Sequence, residues 1–195
     1  MTYWDDNATP AGVFNVGDMY NEYTTRQAAF IVEQLDVNAR ALLDLGCGVG
    51  RLTLPVAMQL IDTTVQGVDP SWPMIREARK LYSIAPNVTF HLLDRVNLGE
   101  PTFDGAWCVL TFQHLPDHTV KQHLQDLFEI LKPGARLVTQ WVTHGEEGPM
   151  SYPRRMPTIL HWLIEAGFIF PHFATDHAVT DYSDDWVWVT AEKPA

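Results

Sequence analysis

The sequence predicts an α/β fold: a seven-stranded, mostly parallel sheet flanked by helices, with an antiparallel strand pair at its C-terminal end. Three observations carry this. Apolar and β-branched runs alternate with segments of helical periodicity from Ala41 to Val142, the pattern of parallel strands joined by crossover helices. The first run, Leu42-Leu43-Asp44-Leu45, breaks at alternate glycines, Gly46, Gly48 and Gly50, and leaves into a helix-compatible stretch. Near the end, Phe168 to Phe173 and Asp185 to Ala191 follow one another without a helical crossover, which only an antiparallel arrangement allows.

Residues 1–17 mix Gly, Pro, Asn and Asp with aromatics and read as an irregular arm. From Asp18 a helix is expected, because Met19, Tyr23, Gln27, Phe30, Ile31 and Leu35 recur at spacings of three and four. Asp36 to Arg40 links it to the first strand, Ala41 to Leu45. After Gly50 a helix carries Leu52, Val56 and Leu60 inward, with Pro55 tolerated in its opening turns. Thr63 to Val68 is the second strand, Pro70-Ser71-Trp72-Pro73 turns the chain, and Met74 to Tyr82 is helical. Val88 to Leu93 and Phe103 to Leu110 make strands three and four. Asp117 caps a helix with Val120, Leu124, Leu127, Phe128 and Leu131 on one face. Lys132-Pro133-Gly134 stops that helix, and Ala135 to Val142 is strand five. His144 to Pro157 reads as a loop, and Ile159 to Ala166 as a helix ending at Gly167.

With 195 residues, 46% hydrophobic and 19% charged, the chain supports one full-sized core and excludes wholesale disorder. Thirteen basic against 24 acidic residues leave a formal charge of -11, which repels phosphate backbones. The local basic cluster, Arg76, Arg79 and Lys80, falls on a predicted surface helix. Nucleic acid is therefore a disfavoured partner. Nothing approaches the roughly 20 apolar residues of a membrane span, and the acidic start shows no signal peptide, so the expected location is cytoplasmic. Cys47 and Cys108 have no CxxC partner, so neither a disulfide framework nor a zinc site is expected.

Alternate glycines let a backbone approach a ligand closely. A dinucleotide turn reads G-x-G-x-x-G to seat a pyrophosphate; here the third glycine comes one position early and Arg51 stands where it would be. Asp44, two residues before Gly46, would repel a pyrophosphate but favours a ligand carrying an ammonium and a sulfonium. Asp69 ends the second strand and can accept ribose hydroxyls. Asp94 ends the third and can accept from an adenine amino group. All three acids fall at C-terminal ends of predicted parallel strands, where open α/β sheets bind ligands.

These residues resemble the class I S-adenosylmethionine-dependent methyltransferases. Leu42 to Gly50 is similar to the family's glycine motif, and Val68-Asp69-Pro70-Ser71 with Met74 and Ala78 to its ribose motif. Asp94 matches the adenine-side acid, Phe103-Asp104 and His114-Leu115 the fourth-strand pattern, and Leu131 to Ala135 the turn into strand five. The resemblance covers Ala41 to Trp141 well and implies a Rossmann-like sheet whose last strand is antiparallel and inserted beside the fifth. It also implies that Gly46, Gly48 and Gly50 shape the methionine pocket, Asp44 holds the amino group, Asp69 the ribose and Asp94 the adenine. Cys47, Pro70, Met74 and Arg95 are cofactor-side candidates with them, and backbone near Leu110 lines the side from which the methyl leaves. One domain over 1–195 is expected: an arm and lid helix over 1–35, a cofactor-binding core over 41–142, and a substrate-side loop, helix and terminal strands over 143–195.

In-line methyl transfer needs alignment and exclusion of water, with orientation alone worth about 7–11 kcal/mol. His114, just past strand four, is the candidate base for an acceptor that must lose a proton, and Gln113 is a weaker candidate to orient it. His114, His118 and His123, spaced four and five apart, fit no common ligand pattern, so no metal is assigned. The stretch Leu110-Thr111-Phe112-Gln113 lacks the Pro-Pro dipeptide of the family's amino-methylating nucleic-acid enzymes, and the Pro-Cys pair of its cytosine enzymes is absent. The expected acceptor is a small, neutral or cationic molecule, covered by the 1–25 arm and the 143–158 loop. Tyr20, Tyr23, Tyr152 and Trp162 can wall it, although aromatics at helical spacing more often belong to a core. The alternatives are a non-catalytic S-adenosylmethionine-binding module and a nicotinamide-dependent oxidoreductase, the latter opposed by Asp44 and the missing third glycine.

Overall fold

A computed structural model describes residues 3–9, 19–35, 38–95, 102–145, 148, 151–181 and 185–195. Among these, strands β1 (Ala41–Leu45), β2 (Thr64–Asp69), β3 (Val88–Leu92), β4 (Phe103–Cys108), β5 (Leu131–Val142), β6 (Ile169–Thr175) and β7 (Trp186–Glu192) form one sheet. Its order is β3-β2-β1-β4-β5-β7-β6. β7 runs antiparallel to both of its neighbours, and the other pairings are parallel. The inserted antiparallel strand is the one expected from the resemblance.

The helices are α1 (Tyr3–Asp6), α2 (Met19–Gln34), α3 (Thr53–Gln59), α4 (Trp72–Leu81), α5 (Asp117–Ile130), α6 (Met156–Glu165) and α7 (Asp176–Thr180). Side chains alternate across a strand, so β1 serves two cores. Leu42 packs with Ala28, Ile31 and Leu35 of α2 and Val56 of α3. Leu43 and Leu45 pack with Val120, Leu124 and Leu127 of α5 and Ile159 and Leu163 of α6. Asp44, two residues from Leu42, therefore faces the α2–α3 side, inside the sheet layer. Trp107, Trp141 and Trp188 are fully buried between the layers. At the opposite edge from the ligand end, Asp104 accepts from the Arg40 and Ala41 amides at 2.8 and 2.9 Å and from Lys132 at 2.7 Å, tying the starts of β1, β4 and β5 together.

Several boundaries differ from the sequence expectation. β4 ends at Cys108 rather than Leu110, because Leu110 takes φ 57, a left-handed conformation no strand accommodates. Helix α5 ends at Ile130 and β5 begins at Leu131 rather than Ala135, so Lys132-Pro133-Gly134 falls within the strand. The tripeptide is a bulge inside β5, where the register with β4 jumps from Phe103↔Leu131 to Gly105↔Arg136. Gly134 adopts φ 78 there, and Lys193 brackets it, accepting from the Gly134 amide and donating to the Ala135 carbonyl, both at 2.9 Å. The described part of the arm contains α1, and α7 intervenes between β6 and β7, capped by Thr175 onto the Ala178 amide. Its left-handed end at Asp181, φ 63, turns the chain back antiparallel.

Candidate cofactor site

Sequential crossovers lead outward from β1 through β2 to β3 on one side, and through β4 and β5 on the other. The C-terminal ends of β1 and β4 are therefore the topological switch point, where this class of sheet opens a crevice. The glycine turn, Asp69 and the segment Leu110–His114 all sit at this end.

Gly46, Gly48 and Gly50 adopt φ 76, 54 and 85, which L side chains rarely tolerate. Two of them are also sterically closed: a Cβ on Gly46 would collide with the Thr111 side chain, and one on Gly50 with Tyr82 and Phe90. The turn consumes its own amides. Gly46 and Cys47 donate to the Val68 carbonyl at 2.8 and 3.0 Å, and Gly50 to the Cys47 carbonyl at 2.9 Å. Gly48 donates to Asp69 Oδ2 at 3.0 Å. A phosphate-binding turn keeps such amides for its ligand; this one spends them holding β1 to β2.

Asp69 is thus a fastener of the turn as well as a ribose candidate. Its Oδ1 accepts from the Ser71 amide at 2.8 Å, and Ser71 in turn donates its hydroxyl to Asp5 Oδ1 at 2.7 Å, docking α1 beside the site. Burial raises the Asp69 pKa, offset by the Ser71 and Gly48 amides.

Asp44 is 3% exposed. Its Oδ2 accepts from Thr53 at 2.7 Å, and burial pushes its pKa up to about 7, against the pull of Thr53 and Arg51. Its register neighbour on β4 is Trp107, whose buried indole N–H also draws the Asp44 pKa down. Arg51 is also buried and reaches α2, donating to Gln27 at 2.6 Å and Thr24 at 3.1 Å. The side chain that occupies the missing-glycine position therefore anchors the helix over the turn.

The remaining predicted residues fall as follows. Cys47 is buried, its thiol held well above its ordinary pKa by burial. Met74 is buried and Pro70 exposed. Asp94 is exposed within the 3₁₀ turn Leu93–Arg95, and the Arg95 side chain lies outside the described residues. Leu110 leads into the 3₁₀ turn Phe112–His114, and Thr111 donates its hydroxyl to the Gly46 carbonyl at 3.3 Å. His114 is half-buried, with its Nε2 3.4 Å from the Gln113 amide nitrogen. Tyr23 and Trp162 are core residues, not exposed walls; Tyr20's side chain lies outside the described residues. Among the described residues no three His, Cys, Asp or Glu side chains converge as a metal set.

The model of a methyltransferase domain matches residues 42–134, from β1 to the β5 bulge. That match supports a class I S-adenosylmethionine-dependent methyltransferase domain over those residues. It is 33% identical over 123 residues to a trans-aconitate 2-methyltransferase of Methylobacterium radiotolerans, covering 62% of this chain and 45% of the relative. It is 30% identical over 172 residues to the like-named protein of Methylobacterium nodulans, covering 86% and 62%. The chain thus spans about half the length of the curated relatives it matches. In three dimensions it is similar to phosphoethanolamine N-methyltransferase 2 of Haemonchus contortus, solved with phosphomonomethylethanolamine and S-adenosylhomocysteine. That likeness has a TM-score of 0.76 at 18% identity and covers 100% of this chain and 61% of that one, and it speaks for the fold alone.

Two features of the chain had no sequence signal. Asp176, 0% exposed, accepts from Gln140 and Trp188 at 2.8 Å, Thr180 at 2.6 Å and Tyr23 at 3.2 Å. It joins α2, β5, β7 and α7. Arg154, 4% exposed, donates to the carbonyls of Phe112, Tyr152 and Leu115 and to Asp117. It holds the turn bearing His114 against the segment after β5. A buried ionisable residue in a Pro- and Gly-rich stretch is the only hint, and it becomes legible once the partners are placed.

Proposed function

We propose that this chain binds S-adenosylmethionine at the glycine turn and transfers its methyl group to a small molecule. The observation that carries the reading is the pairing of a self-satisfied glycine turn with a buried carboxylate beneath it. The Gly46, Cys47, Gly48 and Gly50 amides are already bonded and not offered to a pyrophosphate, and Asp44 offers a negative charge to an ammonium in a low-dielectric setting. That combination counts against the nicotinamide alternative. The sharp backbone of the turn, with Gly46, Gly48 and Gly50 all at positive φ, is the part of the site we assign to the methionine end. Asp69, still accepting from two amides, has lone pairs left for ribose hydroxyls. Asp94 stands exposed at the end of β3 for the adenine amino group, with Arg95, Pro70 and Met74 around that half of the site.

When bound, S-adenosylmethionine supplies a methyl carbon that takes the acceptor's lone pair as its bond to sulfur breaks, leaving S-adenosylhomocysteine. The chain's part is orientation and exclusion of water. Leu110, with Thr111 bonded to Gly46, closes the β4 side; α2, latched by Arg51, covers the opposite side. His114 removes a proton where the acceptor carries one, and Gln113 restrains its ring. Titration calorimetry with S-adenosylmethionine, S-adenosylhomocysteine and NADH tests the reading: both sulfur ligands should bind and NADH should not. Preferential NADH binding overturns it. A methyl-transfer screen with labelled cofactor then separates an enzyme from a non-catalytic binder, which would form no product.

A further inference from the structure

The segments that follow β4 and β5 meet in a groove of about 410 Å³, a volume suited to a small molecule, lined by Pro116, Asp117, Tyr152, Arg154, Arg155 and Thr158 among others. One wall begins at Pro116, two residues past His114. The other is bonded to the same turn, since Tyr152 donates its amide to the Gln113 carbonyl at 2.8 Å and Arg154 to the Phe112 carbonyl at 2.8 Å. Thr111 fastens that turn to the glycine loop. The groove therefore abuts the segment that closes the β4 side of the cofactor site.

Its charge is uneven. Arg154 and Asp117 cancel, with Asp117 Oδ1 accepting from Nε at 3.1 Å and Nη2 at 3.0 Å, and the other Arg154 donors end on carbonyls. Arg155 is exposed and forms no ion pair or side-chain hydrogen bond among the described residues. In a chain with 24 acidic and 13 basic residues, a cation left unpaired beside a concavity is a charge available to a ligand. Arg155 is also the N-cap of the ten-residue α6, so the helix's partial positive end reinforces it, and Thr158 lines the groove one turn further on.

We propose that this groove receives the methyl acceptor and that the acceptor is a small carboxylate paired with Arg155. The proposal rests on the methyl-transfer reading above and replaces the neutral or cationic acceptor expected from net charge, because Arg155 stands at the groove without an ion pair among the described residues. It agrees with the name of the two relatives, trans-aconitate 2-methyltransferases. The step balances without a base. An ionised carboxylate oxygen forms the bond to the methyl carbon, the carbon–sulfur bond breaks with its electron pair going to sulfur, and a methyl ester and S-adenosylhomocysteine result with no proton transferred. Gln113 and His114 then serve only to position the carboxylate.

The test is calorimetry on protein saturated with S-adenosylhomocysteine, at low ionic strength, titrated with a panel of di- and tricarboxylates including trans-aconitate and with trans-aconitate trimethyl ester. At least one free acid should bind, the ester at least tenfold more weakly, and R155Q should lower the acid's affinity at least tenfold while leaving S-adenosylhomocysteine affinity unchanged. Equal binding of the acid by R155Q and the parent chain, equal binding of acid and ester, or no acid bound at all overturns the proposal. Failure of S-adenosylhomocysteine itself to bind is a separate result, which removes the methyl-transfer reading and this acceptor with it.

Discussion

The Thr111 side chain occupies the space that a Cβ on Gly46 would need, and its hydroxyl donates to the Gly46 carbonyl at 3.3 Å. The glycine turn after β1 and the turn after β4 are thereby shut against each other across the switch point. Gly46 is constrained twice, by this contact and by φ 76. G46A should cost about 1–3 kcal/mol of stability and weaken S-adenosylmethionine binding, as read by urea denaturation and calorimetry. Adding T111A to G46A should recover the steric part and leave the backbone part. No loss in G46A would mean the two turns are not locked.

Asp44 predicts a pH dependence with a definite sign. Its folded-state pKa of about 7 lies above the ordinary carboxyl value of about 4, so between those values the folded chain holds a proton the unfolded chain has lost. The ligand-free protein should lose stability as pH rises through that window and level off above it. An ammonium ligand favours the ionised form, so S-adenosylmethionine should bind about tenfold more weakly at pH 6 than at pH 8 and release protons on binding. Calorimetry in buffers of different ionisation enthalpy measures this. In D44N both slopes should vanish; a surviving proton release would assign it elsewhere.

Asp69 holds the Gly48 and Ser71 amides and is proposed to hold the ribose. D69A should weaken S-adenosylmethionine at least fivefold, by loss of the hydroxyl contacts and by loosening the turn. D69N keeps an acceptor oxygen for one amide and should fall between the two. Unchanged affinity in D69A would remove Asp69 from the ribose role.

Asp176 gathers donors from Tyr23, Gln140, Thr180 and Trp188. D176A strands several buried donors at once and should cost about 3 kcal/mol or more, while Y23F, removing one hydroxyl, should cost about 1 kcal/mol. Urea denaturation of both variants gives the comparison. A D176A chain as stable as the parent would show that the network contributes nothing net.

Much of the molecule was readable from short-range pattern. The β1 run, the glycines, the acids at the ends of β1, β2 and β3, and the apolar faces of α2, α4 and α5 are each written within a few consecutive residues. Backbone conformation and strand or helix periodicity are local properties. The seven strands and the antiparallel ending followed from the same counting. Boundaries went astray where a local signal has two meanings: Lys132-Pro133-Gly134 suits a helix stop or a bulge, and the partner strand chooses.

What only three-dimensional packing decided is the identity of partners. Asp176 and Tyr23 are 153 residues apart in sequence, and Arg154 reaches back 42 residues to the Phe112 carbonyl. Nothing near either residue specifies those contacts, because a buried polar group must be satisfied by whatever donor or acceptor the assembled layers bring to it. Asp44 shows both halves. Its place before the glycine turn was legible, and marks it for a cationic ligand. Its pKa near 7 comes from burial under α2 and α3, which exists only once the sheet and its helices have closed around it.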